Sequence, residues 1–293
     1  MPETPPQPNS VYLVTAAGNP NLGDDIIVRD WIDRLVESDP TVTLYVDCPS
    51  PGNAESIHGP RHNVRFVDHF WRVVRGAPSN DLDEFETWLR QVSDRPDPFF
   101  PLQLADRALA GSRAVVFVGG GYIAAPWPRR SILFRLGQRA KERFGLRVIA
   151  SALGPHPLAP GQESHVATSL ACFDSLQVRD EHSLATLERI LPGRAVLVHD
   201  DVWASPVTRR GDDEHVDALE FSIQRDLLAP EQKPLVLDRL AELATAFRAR
   251  FPDGEIRVLE LLPGDGWFVD PLGDQLGPIR FCGFLELWRD CLL

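Results

Sequence analysis

The sequence predicts an α/β protein built on a doubly wound parallel sheet. Short β-branched apolar runs alternate with amphipathic stretches of helical length. The run Ala114–Val118 is apolar throughout, as a strand buried on both faces requires. Two such runs lead straight into small-residue loops: Asn19-Pro20-Asn21-Leu22-Gly23-Asp24-Asp25 follows Val11–Val14, and Gly119-Gly120-Gly121 follows Val118. A loop between a strand and a helix in such a sheet aims backbone N–H groups beyond the strand's carboxyl end, where open α/β sheets bind ligands and anions especially. The first of these loops fits neither GxGxxG nor a Walker A sequence, so it supports neither dinucleotide binding nor ATP hydrolysis.

The elements are expected in this order. A strand over Val11–Thr15 is followed by a helix over Asp24–Glu37, with Ile26, Ile27, Trp31 and Leu35 as its apolar residues. A second strand spans Thr41–Val46, and a loop rich in Pro, Gly and His runs to His62 before a strand at Val64–Val67. Asp81 caps a helix to Gln91 whose face carries Phe85, Trp88, Leu89 and Val92. Leu102–Ala110 is helical, and Ile132–Phe144 is a helix closed by Gly145. The strand Arg147–Ala152 ends at Gly154-Pro155. Then come helix Glu163–Phe173, strand Ser175–Val178, helix Glu181–Ile190 and strand Ala195–Val198. Residues 1–10 read as a disordered tail, 11–205 as the first domain and 206–217 as a polar linker. Residues 218–293 read as part of a second domain: strand Ala218–Ile223, helix Pro230–Arg250, strand Glu255–Leu262, loop Pro263–Pro278 and helix Phe284–Leu293. The last helix carries an apolar stripe that needs either a continuation of the chain or the first domain to cover it.

At 293 residues and 43% hydrophobic, the chain is long and apolar enough for a substantial core. Its net charge of −12 argues against a broad nucleic-acid surface. Lys141 and Lys233 are the only lysines among 30 basic residues, so an anion site would be built from arginine. Cys48, Cys172, Cys282 and Cys291 form no CxxC pair, which suits reduced thiols and a cytoplasmic location. The Pro-rich start has no apolar h-region, and no run is long enough for a membrane-spanning helix.

Several loops, in order, resemble one family. Asn21-Leu22-Gly23-Asp24-Asp25 is similar to its N-x-G-D-[D/E] signature, and Val118-Gly119-Gly120-Gly121 to its strand and triple-Gly loop. Leu153-Gly154-Pro155 is similar to its Gly-Pro turn, and Val178-Arg179-Asp180-Glu181-His182-Ser183 to its V-R-D-x-x-S. Asp200-Asp201-Val202-Trp203-Ala204 and Phe221-Ser222-Ile223-Gln224-Arg225 complete the series. The family is the polysaccharide pyruvyl transferases. The resemblance implies two Rossmann-like domains arranged as in B-type glycosyltransferases, the second incomplete here. It implies transfer of a pyruvyl group from phosphoenolpyruvate to a glycan or lipid-linked sugar acceptor of a cell-surface or exopolysaccharide, giving a pyruvate ketal. It implies no organic cofactor. Family members carry a late Arg-x-His segment for donor binding and acid catalysis, and no Arg-x-His occurs after residue 225. Two other readings therefore stand: a nucleotide-sugar glycosyltransferase, or a catalytically degenerate binding homologue.

Phosphoenolpyruvate transfer needs both anionic groups held, a proton delivered to the methylene carbon and the acceptor hydroxyl deprotonated. Arg179, at a strand end before a helix, can fork onto a carboxylate or phosphate, or tie its loop to a neighbouring Asp. Gly119, Gly120, Gly121 and Gly154 let backbone approach a ligand. Asn21 and Gly23 open the first helix, where Asp24 is either the general base or an N-cap, and Asp25 complements the helix dipole. His182 is a candidate proton donor or an exposed helix histidine. Arg129 and Arg130 either line the phosphate side or form a solvated pair. Asp200 and Asp201 read as a strand-end turn in preference to a metal site, and Trp127 and Trp203 as core in preference to sugar platforms. His58, His62 and His69 fall in loop sequence without carboxylate company, which argues against zinc, and His156 has weaker claims still.

Overall fold

The computed structural model describes residues 9–19, 21–79, 81–93, 100–201, 217–262, 264–276, 278–283 and 287. Contacts divide the chain into two units, Met1–Asn19 with Asp24–Pro206 and Pro20–Gly23 with Val207–Leu293. The first unit holds a seven-stranded, wholly parallel sheet in the order β3-β2-β1-β4-β5-β6-β7. Its strands are β1 (Ser10–Val14), β2 (Thr43–Asp47), β3 (Val64–Val67), β4 (Ser112–Val118), β5 (Arg147–Leu153), β6 (Ser175–Val178) and β7 (Ala195–Leu197). Its helices are α1 (Leu22–Ser38), α2 (Pro51–His58), α3 (His69–Gly76), α4 (Leu82–Ser93), α5 (Phe100–Ala110), α6 (Ile132–Phe144), α7 (Glu163–Leu170) and α8 (Glu181–Ile190). Ser10, expected in the tail, is buried and opens β1.

Successive residues of a strand point to opposite faces, and both faces of this sheet are buried. Tyr12, Val14, Val115 and Phe117 join one core with side chains of α3 to α8. Val11, Leu13, Val116 and Val118 join the other, under Ile27, Val28 and Ile32 of α1 and Ala54 of α2. That double burial is why Ala114–Val118 is continuously apolar. Asp81 caps α4 as expected, its Oδ1 accepting the N–H groups of Asp83 at 2.9 Å and Glu84 at 3.0 Å. Gly145 closes α6 in the left-handed conformation at φ 68°.

Two helices differ from the expectation. α2 occupies the stretch read as loop, because Pro51 sits in its first turn, where a missing N–H costs nothing. α3 buries Phe70, Trp71, Val73 and Val74. It is capped from a distance: Asp47, at the end of β2, accepts the Phe70 N–H at 2.7 Å and also the Tyr12 hydroxyl. Burial, the largest influence, raises the Asp47 carboxyl to about 7, while it lowers the neighbouring His69 to about 4.

The second unit holds β8 (Ala218–Phe221), β9 (Glu255–Leu259) and β10 (Arg280–Cys282), parallel in the order β10-β9-β8, with α9 (Gln232–Arg250) and α10 (Val269–Leu276). Phe221, Leu240, Ala244, Ile256, Val258, Phe268 and Leu272 form its core. The expected loop Pro263–Pro278 instead contains a 3₁₀ turn at Asp265–Phe268 and α10. Buried Asp265 organises that turn by accepting the Arg225 and Leu262 N–H groups, each at 3.0 Å. The expected linker lies outside the described residues except for Asp217, and the expected terminal helix except for Leu287. Among the described residues no helix is long and apolar enough to cross a membrane.

Gly137 lets α6 lie flat on the aromatic core of the first unit. A Cβ there would stand 2.7 Å from Phe117 Cε2 and 3.1 Å from Phe173 Cζ. Gly137→Ala is expected to destabilise the protein by about 1–3 kcal/mol despite alanine's better helix propensity. Urea unfolding reads this directly; equal or greater stability would show that the two rings give way freely.

Candidate functional site

The strand order reverses between β1 and β4, so the loops leaving these neighbours diverge and open a crevice at their carboxyl ends. β4 runs directly into the triple glycine. Gly119 and Gly120 take left-handed backbone, φ 72° and 44°. A Cβ on Gly120 would lie 3.1 Å from Asp24 Oδ1, and one on Gly121 would lie 3.1 Å from Arg179 Nη2. The loop thus touches both leading candidates from the sequence.

β5 supplies the second wall. Its pairing with β6 shifts register between Ala150 and Leu153. Ala152 there has φ 46°, the one non-glycine positive φ among the described residues. The irregularity lets Gly154 donate its N–H to Gly120 O at 3.1 Å, while the Arg179 N–H bonds Leu153 O at 3.1 Å. A Cβ on Gly154 would stand 2.8 Å from Arg179 Nε. The guanidinium lies close against two glycine backbones, and a Cβ at either would press on it.

Arg179 directly follows β6, and its Nη1 donates to Asp200 Oδ2 at 2.9 Å; Asp180 Oδ2 is 3.9 Å from Nε. Its side chain keeps 34% exposure, so this is a tethered but reachable cation and not one sealed in the core. Asp180 caps α8, accepting the Ser183 N–H at 2.7 Å. Asp201 accepts Ser151 Oγ–H at 2.8 Å and the Trp31 indole N–H at 3.1 Å. The Asp200–Asp201 pair, expected as a simple turn, is therefore a counter-charge followed by a strut linking α1, β5 and β7.

Asp24 is half-buried in α1. Burial and then the neighbouring Asp25 raise its carboxyl to about 7, against the pull of Arg179 and Arg130. Asp25 is not a dipole complement on the surface: it is fully buried, accepts the Gly18 N–H at 3.0 Å and lies 3.2 Å from His58 Nε2. His58 belongs to α2 and stacks on Phe66, whereas His69 in α3 faces Tyr12, so the loop cluster of histidines does not exist. Among the described residues no three His, Cys, Asp or Glu side chains gather as metal ligands.

The other expected residues divide. Asn21 Oδ1 accepts the Gly23 N–H at 3.1 Å, a local turn opening α1. His182 is exposed in the first turn of α8 and stacks on His156, ring centroids 5.3 Å apart. Arg129 is half-buried in a 3₁₀ turn at Pro128–Ser131. Its neighbour Arg130 is the one whose charge acts on Asp24, and its guanidinium lies 4.4 Å from the Trp127 ring centroid. Trp203 is outside the described residues. Sequence reasoning missed Tyr122 and Trp71, which flank Arg130; the only signal was their aromatic character beside a flagged arginine.

Because Asp24 is raised from 3.8 to about 7, its contribution to stability is complete below pH 4 and is lost as pH climbs through 7. Asp47 acts in the same direction over the same window. The stability of Asp24→Asn relative to the parent should therefore increase between pH 4 and 7 and level off above. Thermal unfolding across that range checks it, and a pH-independent difference would refute the raised carboxyl.

Among curated proteins no relative matches the chain. Among solved structures it is similar to a UDP co-structure of S. aureus MnaA, with a TM-score of 0.52 and 9% identity over 97% of this chain and 70% of that one. It is equally similar to a structure from Listeria monocytogenes described as a UDP-N-acetylglucosamine 2-epimerase, with a TM-score of 0.52 and 10% identity over 96% and 70%. At such identity these likenesses show the Rossmann-like fold and nothing about ligands. The family model of the polysaccharide pyruvyl transferases matches residues 21–268, spanning the glycine loops, Arg179 and the start of the second unit, and the chain belongs to that family.

Proposed function

We propose that this protein transfers a pyruvyl group from phosphoenolpyruvate to a sugar of a cell-surface or exopolysaccharide, forming a pyruvate ketal and releasing phosphate. The observation that supports this most is Arg179 laid against Gly121 and Gly154, beside a carboxyl poised near neutrality. A small dianionic acid needs a forked cation approached by bare backbone, and its acceptor hydroxyl needs a base with a pKa near the working pH.

In this reading the guanidinium exchanges part of its bond to Asp200 for an oxyanion of the donor. The N–H groups of Gly120 and Gly121 are the neutral donors of this reading, while Gly119, whose N–H is given to Asp201, shapes the turn that presents them. Asp24, ionised in a large fraction of molecules near pH 7, accepts the proton of the attacking hydroxyl. His182 is our candidate for the proton that enters the methylene carbon. Asn21, Gly23 and Arg129 complete the proposed binding set. Once the methylene is protonated to a methyl group, one hydroxyl adds to the phosphate-bearing carbon, and a second displaces phosphate from that same carbon to close the ketal.

The test is phosphate release from phosphoenolpyruvate with a glycan acceptor. UDP release from a nucleotide sugar would favour glycosyl transfer instead, and binding without turnover would favour a non-catalytic homologue. Arg179→Ala should abolish calorimetrically detectable phosphoenolpyruvate binding; unchanged affinity removes it from the site. Gly154→Ala should drive a Cβ into the guanidinium and weaken binding at least about tenfold, the size of one charge-assisted contact. Retained affinity with Gly154→Ala would mean that Arg179 works from another position.

A further inference from the structure

Arg130 has a setting unlike that of Arg179. Its guanidinium carbon lies 4.4 Å from the Trp127 ring centroid and 5.5 Å from that of Trp71. Its Nη1 makes a long bond, 3.4 Å, to the Tyr122 carbonyl. Among the described residues it forms no ion pair. Burial lowers its pKa, and the nearby Asp24 acts the other way. A half-buried cation with aromatic neighbours and no carboxylate at bonding distance is poorly compensated, because indoles offset only part of the lost hydration.

The surroundings hold it in place. The Trp71 indole N–H donates to Thr15 O at 2.9 Å, and the Tyr122 hydroxyl donates to Val14 O at 3.1 Å. Both rings are buried and lie 6.1 Å from each other. They fix the arginine to the carboxyl end of β1, the strand that borders the crevice. Asp24 feels both Arg130 and Arg179, so the two cations share one neighbourhood.

We propose that Arg130, set against Trp71 and Trp127, is a second anion-binding residue of this site and takes one of the two anionic groups of the donor, its phosphate or its carboxylate. Naming the donor rests on the pyruvyl-transfer reading; the anion site itself does not. Arg179, neutralised in part by Asp200, then holds the other group, and Asp24 stands near both. Stacking on indole leaves the guanidinium edge free for a bidentate oxyanion while removing the rotamer freedom such a long side chain would lose on binding.

Calorimetric titration of the whole chain with phosphoenolpyruvate, inorganic phosphate and pyruvate decides it. Arg130→Gln is expected to weaken phosphoenolpyruvate at least about tenfold. Parallel loss of inorganic phosphate assigns the phosphate to Arg130, and parallel loss of pyruvate assigns the carboxylate. Unchanged affinity for all three, or no binding of any by the parent, overturns the proposal. Should Arg130→Gln not fold, Arg130→Lys keeps the charge but lacks the planar fork, and the proposal requires it to weaken the same ligand several-fold; parent-like affinity overturns it. A parent that binds these ligands through Arg130 yet never releases phosphate with a glycan defeats the transferase reading and keeps the subsite. Turnover with affinities indifferent to Arg130 does the reverse.

Discussion

The contact between the Arg179 guanidinium and the bare backbone at Gly121 and Gly154 is the constraint on which the rest of the site depends. A Cβ at either position would stand 3.1 Å or less from a guanidinium nitrogen. The β4 loop, the shifted register of β5 and the residue after β6 thus meet at one flat cation. The positive φ of Ala152 and the bond from Gly154 to Gly120 lie in the same turns, which come within reach of that one side chain. A parallel sheet makes such convergence natural, because every strand delivers its loop to the same edge.

Charge is distributed unevenly around that edge. Arg179 has Asp200 and Asp180, Asp201 is tied to Ser151 and Trp31, and Asp25 is locked beneath α1 by Gly18 and His58. Asp24 and Arg130 are left with partners that act through space and not through short bonds. In a protein of net charge −12, the guanidinium groups of Arg179 and Arg130 both act on Asp24. Burial and the neighbouring Asp25 raise Asp24 toward neutrality against the pull of those guanidinium groups.

Much of this was legible in the chain. Ile132–Phe144, Ser175–Val178 and Glu181–Ile190 are found with the bounds that periodicity and capping residues indicate. The glycine turns and Arg179 stood out because their residue types are unusual at the end of an apolar run. What escaped notice had no local signature. Asp47 caps α3 from another element, so the start of that helix carried no capping signal of its own. Asp25 looked like an ordinary first-turn acid, and its burial depends on α2 folding over the Gly18 loop. Arg129 and Arg130 are adjacent and alike in sequence, yet Arg130 is the one whose guanidinium lies near Trp71 and Trp127.

The sequence by itself determined the parallel α/β architecture, the turns at the carboxyl edge of its sheet and the family, since apolar period, glycine placement and short motifs are properties of consecutive residues. Only the tertiary structure decided which charges neutralise one another. Arg179 meets Asp200, Asp201 meets Ser151 and Trp31, and Arg130 meets two indoles, because these groups come from strands and helices far apart in the chain. Their separation is set by sheet order and register, and no pattern within a single segment encodes it.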